Sequence, residues 1–209
     1  MKASARFWDR MSARYARTPV ADEAAYQEKL RRTRDLLTPE SVVFEFGCGT
    51  GSTSVSHGPF AAQIRAIDVS QNMIDIACEK ARSANVQNVD FQVGTIEGFD
   101  ASPGSFDMVM AHSILHLVHD KDAAIRKSFE LLKPGGWFVS STICMGDRLI
   151  MRVIARAVSA VSLLGLLPYI NRTSRAQLVD AIAAAGFAIE QQWQPKPLAA
   201  LFVIARKPQ

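Results

Sequence analysis

The stretch that most restricts this chain is Val42-Val43-Phe44-Glu45-Phe46-Gly47-Cys48-Gly49-Thr50-Gly51, an apolar run closed by one glycine and followed by two more at alternate positions. A near-continuous apolar run without regular polar alternation reads as a strand covered on both faces, the kind found inside parallel sheets. The spacing predicts that strand over residues 41–46. Glycines at the turn leaving it let backbone amides approach a ligand where a Cβ would obstruct. The first firm expectation is a covered strand feeding a ligand-binding loop.

The rest of the chain repeats the pattern. Ahead of the strand, residues 3–37 carry helical spacing in two runs. Phe7, Met11 and Tyr15 recur every fourth residue, and a second run from Ala21 stops near Leu37, before Pro39. Behind the glycine loop, strands are expected at 63–69, 89–93, 106–111 and 137–142, with helices at 72–84 and 122–132 and a turn at Lys133-Pro134-Gly135-Gly136. Strands separated by helices of this length need right-handed crossovers and a mainly parallel sheet, so the class is α/β, doubly wound. Past residue 147 the rhythm breaks. An apolar-rich helix is expected over 148–167. A second helix, capped by Thr173 or Ser174, stops at Gly186, and two strands (187–193 and 198–207) join through Gln194-Pro195-Lys196-Pro197. A loop that short makes a hairpin, and the last strand is therefore antiparallel. With 209 residues, 48% of them hydrophobic, the chain can bury one core, so we expect a single domain over 1–209, with residues 1–40 as an amino-terminal helical lid and 147–171 as an insertion.

Composition excludes several partners. A net charge of +4 is modest, and three Trp and three Tyr with no basic run between them do not make a nucleic-acid surface. Cys48, Cys78 and Cys144 lie 30 and 66 residues apart, which is no metal or redox spacing, so no metal is expected. A sparse, odd cysteine set suits a reducing cytoplasm. Residues 1–15 hold Arg6, Asp9, Arg10 and Arg14 without an apolar run, unlike a leader peptide, and no stretch matches a membrane span.

A second acid marks the site. Ile64-Arg65-Ala66-Ile67-Asp68-Val69 is a strand ending in Asp68, 17 residues after Gly51. A carboxylate there can accept hydrogen bonds from both hydroxyls of a nucleoside ribose. A dinucleotide fingerprint needs its third glycine where this chain has Ser52, which weakens a nicotinamide reading.

Taken together, VVFEFGCGTG, AIDVS with Met73 after it, VDFQVGTIEGF, SFDMVMAHSILHL, LLKPGGWFVSS and LFVIARK stand in the order of the class I S-adenosylmethionine-dependent methyltransferases. The chain resembles that family over nearly its whole length, specifically small-molecule members. The resemblance implies a seven-stranded sheet with an antiparallel last strand, S-adenosylmethionine as cofactor and S-adenosylhomocysteine as product. By matching position, Glu45 would anchor the methionine end, and Gly47, Cys48, Gly49 and Gly51 would pass beneath the cofactor. Asp68 would hold the ribose, Val69 and Met73 would flank the adenine, and Thr95 and Ile96 would meet its edge and face. Many members carry Asp after the glycine of that adenine block, where this chain has Gly94-Thr95-Ile96, so a backbone contact or Thr95 would serve instead. Ala111 and His112 would face the methyl group. The Asn/Asp-Pro-Pro-Tyr motif of members that act on nucleic-acid bases is replaced by Ala-His-Ser-Ile, against a base as acceptor.

A sulfonium already carries an activated methyl group, so alignment and water exclusion are the main tasks. If the acceptor must lose a proton, His112 and His116 are the nearest catalytic candidates, each with the alternative of packing near the site. Arg6, Arg10, Arg14 and Arg17 form one basic stripe, read as a solvated face, with Tyr15 or Tyr26 able to close the pocket. Arg148, Arg152 and Arg156 repeat every fourth residue on an apolar helix, which could touch an anionic membrane, roof an apolar pocket or simply pack. The expected function is methyl transfer to a small, lipophilic acceptor, with a quinone precursor or phospholipid head group as candidates. The rivals are a nicotinamide oxidoreductase and a non-catalytic adenosyl-binding protein.

Overall fold

The computed structural model describes residues 2–147, 169–197 and 199–209. The helix expected over 148–167, with Arg148, Arg152 and Arg156, lies outside the described residues.

Two helices precede the sheet: α1 (Lys2–Arg17) and α2 (Glu23–Arg34), the latter started by Asp22, whose carboxylate accepts from the Ala25 amide at 3.0 Å. Then come β1 (Val42–Phe46), α3 (Ser52–His57), β2 (Gln63–Asp68), α4 (Gln71–Ser83), β3 (Val89–Val93), β4 (Phe106–His112), α5 (Lys121–Leu131), β5 (Leu132–Thr142), α6 (Arg175–Ala184), β6 (Ala188–Trp193) and β7 (Leu201–Arg206). The seven strands form one sheet in the order β3-β2-β1-β4-β5-β7-β6. β7 runs antiparallel to both neighbours, and the other pairings are parallel.

Burial explains the strand patterns. β1 alternates Phe44 and Phe46 toward one apolar cluster, with Phe138, Ile125 and Leu178, and Val43 toward another, with Met108, Met110 and Phe202. Both faces are covered, so no polar alternation survives in the sequence. β7 is covered from Leu201 to Ala205 for the same reason.

Two boundaries differ from the sequence reading. β5 begins at Leu132, which pairs with Phe106, and the register then shifts so that Met108 faces Trp137; Lys133 to Gly136 bulge out between these pairs rather than preceding the strand. Asp107 receives the Lys133 ammonium there, at 2.8 Å. At the hairpin, β7 starts at Leu201, so the β6–β7 connection is longer than the four-residue loop expected. Of the two proposed caps, Ser174 acts: its hydroxyl accepts from the Gln177 amide, and the Gln177 side chain accepts from the Ser174 amide. Gly186 ends that helix segment at φ +101°.

Candidate active site

The carboxyl ends of β1, β2 and β4 open on a cavity of about 720 Å³, roofed by α1 and α2. In open α/β sheets ligands bind at such strand ends.

The glycine loop serves two purposes. Gly47, Gly49 and Gly51 all hold positive φ, at +67°, +54° and +72°. A Cβ at Gly47 would lie 2.4 Å from the Ile114 side chain, and one at Gly51 would lie 2.7 Å from Ala77 and 2.8 Å from Phe91. Those two glycines let neighbouring elements close in. A Cβ at Gly49 would meet nothing nearer than Tyr15, at 3.9 Å, so the middle glycine faces open cavity.

The acids converge on it. Asp68 accepts the Gly49 amide at 3.0 Å and the Ser70 amide at 2.9 Å, which locks the loop to the end of β2. Burial raises its pKa even so. Glu45, 1% exposed, takes a hydrogen bond from Ser54, and burial pushes its pKa up to about 7. Cys48 lines the cavity, but burial, with Glu45 and Asp68 nearby, holds its thiol well above its ordinary value, so it is no nucleophile. Val69, Met73, Thr95 and Ile96 line the same end. The Thr95 hydroxyl accepts the Gly98 amide at 3.2 Å and keeps its own proton to donate.

α1 crosses above. Asp9 accepts from the Ser70 hydroxyl at 2.6 Å and the Asn72 amide at 3.2 Å, and the Asn72 side chain donates to the Asp9 carbonyl at 3.1 Å. This clip carries Trp8 and Tyr15, which meet edge to face, over the cavity.

Away from the glycine loop stand His112, Ser113, Ser141 and Lys29, while Tyr26 lines the cavity near Glu45. Ser113 holds φ +55°, an uncommon conformation for a residue with a Cβ, and its amide donates to the Ser141 carbonyl at 2.7 Å. The His112 ring lies parallel to Phe202; enclosure, with His57 and Lys29 adding repulsion, lowers its pKa to about 3. It is neutral at physiological pH, and its Nε2 has no hydrogen-bond partner among the described residues.

Three of the residues expected at the site are elsewhere. Gly51 packs against α4 and β3, and Ala111 is fully buried in the core. His116 is 8% exposed and does not line the cavity; its carbonyl accepts the Asn171 amide at 2.8 Å and burial lowers its ring pKa to about 4. Of the two histidines expected as catalytic candidates, His112 lines the cavity and His116 does not. Trp8, Lys29, Lys80, Ser141, His119 and Tyr169 line the cavity without having been expected there. Lys80 donates to Ser52 at 2.5 Å and Thr50 at 3.2 Å beneath the glycine loop. Among the described residues, no group of three His, Cys, Asp or Glu could hold a metal, and no helix is long and apolar enough to cross a membrane.

Dinucleotide-binding sheets of this kind run 3-2-1-4-5-6. Here one antiparallel strand is inserted between the fifth and sixth, next to a cavity with an acid at the end of β1 and another at the end of β2. That combination defines the class I S-adenosylmethionine-dependent methyltransferase fold. The chain belongs to the methyltransferase domain family, whose profile matches residues 37–181. A ubiquinone biosynthesis O-methyltransferase of Albidiferax ferrireducens is 33% identical over 127 residues, 60% of this chain and 49% of that protein. The chain thus spans about half the length of the curated relatives it matches. Among solved structures, an S-adenosylmethionine-dependent methyltransferase of Mesorhizobium loti superposes with TM-score 0.70 at 22% identity, over 88% of this chain and 99% of that one. Geranyl diphosphate C-methyltransferase of Streptomyces coelicolor, solved with S-adenosylhomocysteine, gives 0.72 at 17%, over 88% and 79%.

Proposed function

We propose that this chain transfers a methyl group from S-adenosylmethionine to an oxygen of a small apolar acceptor, a quinone precursor being the leading candidate. The observation that carries this reading is the meeting of Glu45, Gly49 and Asp68 at one end of a cavity whose other end holds His112, Ser141 and Lys29. The residues fit the cofactor: a glycine faces open space where the loop would pass beneath it, and two buried acids flank that glycine. When bound, the cofactor supplies a sulfonium-activated methyl group.

The chain's own residues do the rest. Asp68, held still by two backbone amides, would accept from the ribose hydroxyls. Glu45 would receive the amino group of the methionine part. Val69, Met73 and Ile96 would cover the adenine, with Thr95 at its edge. Trp8 and Tyr15 on α1 act as a lid that excludes water. His112, neutral at the end of β4, lines the acceptor's approach. The ubiquinone biosynthesis relatives favour the quinone precursor over a phospholipid head group. A cytoplasmic location, with contact to anionic lipid through Arg148, Arg152 and Arg156, belongs to the same proposal and is checked by sedimentation with anionic and neutral vesicles.

Calorimetric titration with S-adenosylmethionine, S-adenosylhomocysteine and NADH tests the reading. Micromolar binding of the first two alone, lost at least tenfold in Asp68→Ala, is expected; binding of NADH alone would overturn it in favour of an oxidoreductase.

A further inference from the structure

The acceptor end of the cavity holds a cation apart from Lys80, which sits beneath the glycine loop. Glu45 and Asp68 occupy the cofactor end, whereas Lys29 reaches from α2 into the acceptor end. Its ammonium donates to the Ser141 hydroxyl at 2.9 Å, and none of the ion pairs among the described residues includes it; Asp22, the nearest acid to influence it, is engaged by Lys196 at 2.7 Å. Ser141 pairs with His112 across the parallel β4–β5 ladder, so both side chains leave the same face of the sheet at its ligand-binding edge. The His112 Nε2 is enclosed and unpartnered beside them. Leu30, Tyr26, Ile143, Ala199 and Ala200 line the surroundings. A half-buried ammonium with one neutral hydrogen-bond partner and unused N–H bonds, beside an acid that Lys196 already engages, is incomplete until an anion joins it.

We infer that Lys29, steadied by Ser141 and set beside His112, is the residue that recognises the acceptor, and that it takes an oxyanion, an ionised hydroxyl or a carboxylate, carried by a small apolar molecule. This rests on the acceptor occupying that end, as proposed above. It also gives the neutral His112 a place: an acceptor hydroxyl held as its anion has no proton to shed, so a strong base is not needed, and with the ring proton on Nε2 the histidine donates to the same oxygen. The titratable groups that interact with Lys29 are His112 and Asp22, of which Asp22 is already paired.

The test uses the protein with saturating S-adenosylhomocysteine and two probes. 4-Nitrophenol reports its own ionisation by the phenolate absorbance band. 4-Nitrobenzoate and neutral 4-nitrobenzamide form the carboxylate arm. The wild-type protein is expected to lower the apparent pKa of bound 4-nitrophenol by about one unit or more, as an adjacent opposite charge does. Lys29→Met should abolish that shift and weaken phenolate binding about tenfold, and Lys29→Arg should retain most of it. S-Adenosylhomocysteine affinity should be the same in all three, which a misfolded variant would not give. Preference for benzoate over benzamide, lost in Lys29→Met, with no phenol shift would assign the anion as a carboxylate. An unshifted phenol together with equal binding of benzoate and benzamide, or identical behaviour of wild type and Lys29→Met, overturns the inference, as does failure of both anionic probes to bind. If S-adenosylhomocysteine itself does not bind, the cofactor reading falls, and the probe titrations repeated without it still judge Lys29.

Discussion

Three glycines in one loop invite a single explanation, yet each answers to a different neighbour. Gly51→Ala would force a methyl group into Ala77 and Phe91 while holding φ at +72°, and is expected to destabilise the protein by about 3 kcal/mol in urea unfolding. Gly49→Ala meets no such wall. It should cost about 1 kcal/mol of stability through its positive φ but reduce S-adenosylmethionine affinity at least tenfold by calorimetry. The motif was legible in the sequence because glycine is so strongly required; the division of labour was not, because Ile114, Ala77 and Phe91 come from other parts of the chain. Glu45 makes a second prediction at this scale. With its pKa near 7 it is largely protonated at pH 6, and a ligand ammonium beside it would favour the ionised form. Cofactor binding at pH 6 should therefore release a proton, seen as a binding enthalpy that varies with the buffer's ionisation enthalpy, and Glu45→Gln should remove that variation.

Elements were easier to read than contacts between them. The apolar runs of β1, β4 and β7 and the cap of α6 are local signals, and these four elements formed where expected within a few residues. The start of β5 was misjudged because Pro134, Gly135 and Gly136 carry a turn signal, while the pairing of Leu132 with Phe106 depends on a strand about 26 residues earlier. The acceptor end was the least legible part. Lys29 and Ser141 are 112 residues apart, and no periodicity links them. The clip between α1 and the turn after β2 is of the same kind. Asp9→Ala should free α1 without unfolding the sheet: amide exchange within residues 2–17 is expected to speed up markedly, cofactor affinity to fall severalfold, and the melting temperature to move by only a few degrees. Unchanged exchange in α1 would mean that packing alone holds it.

For the whole molecule, buried titratable groups pull stability in opposite directions. Glu45 has a folded pKa raised to about 7, so its contribution is full below the ordinary carboxylate range and is lost as pH rises through 7. His112 and His116 have folded pKa values lowered to about 3 and 4, so theirs is full above the ordinary histidine value and is lost as pH falls. Two histidines outweigh one glutamate, and unfolding free energy of the ligand-free protein should decline between pH 6.5 and 4.5. Glu45→Gln should steepen that decline and His116→Leu should flatten it, both read as urea midpoints across the range. A steeper decline in His116→Leu would show that its ring is not kept neutral by burial.

The position of β7 has one more consequence. This strand is not at the border of the sheet but is slotted between β5 and β6, with Leu201 to Ala205 covered. During synthesis β1 to β5 and then β6 leave the ribosome first, yet among the described strands β6 pairs with β7 alone. Until residue 206 has emerged, β5 carries an open hydrogen-bonding edge and β6 has no seat. The nascent chain must therefore wait with an exposed, apolar strand edge, an aggregation-prone state, and the last strand acts as the wedge that completes the sheet.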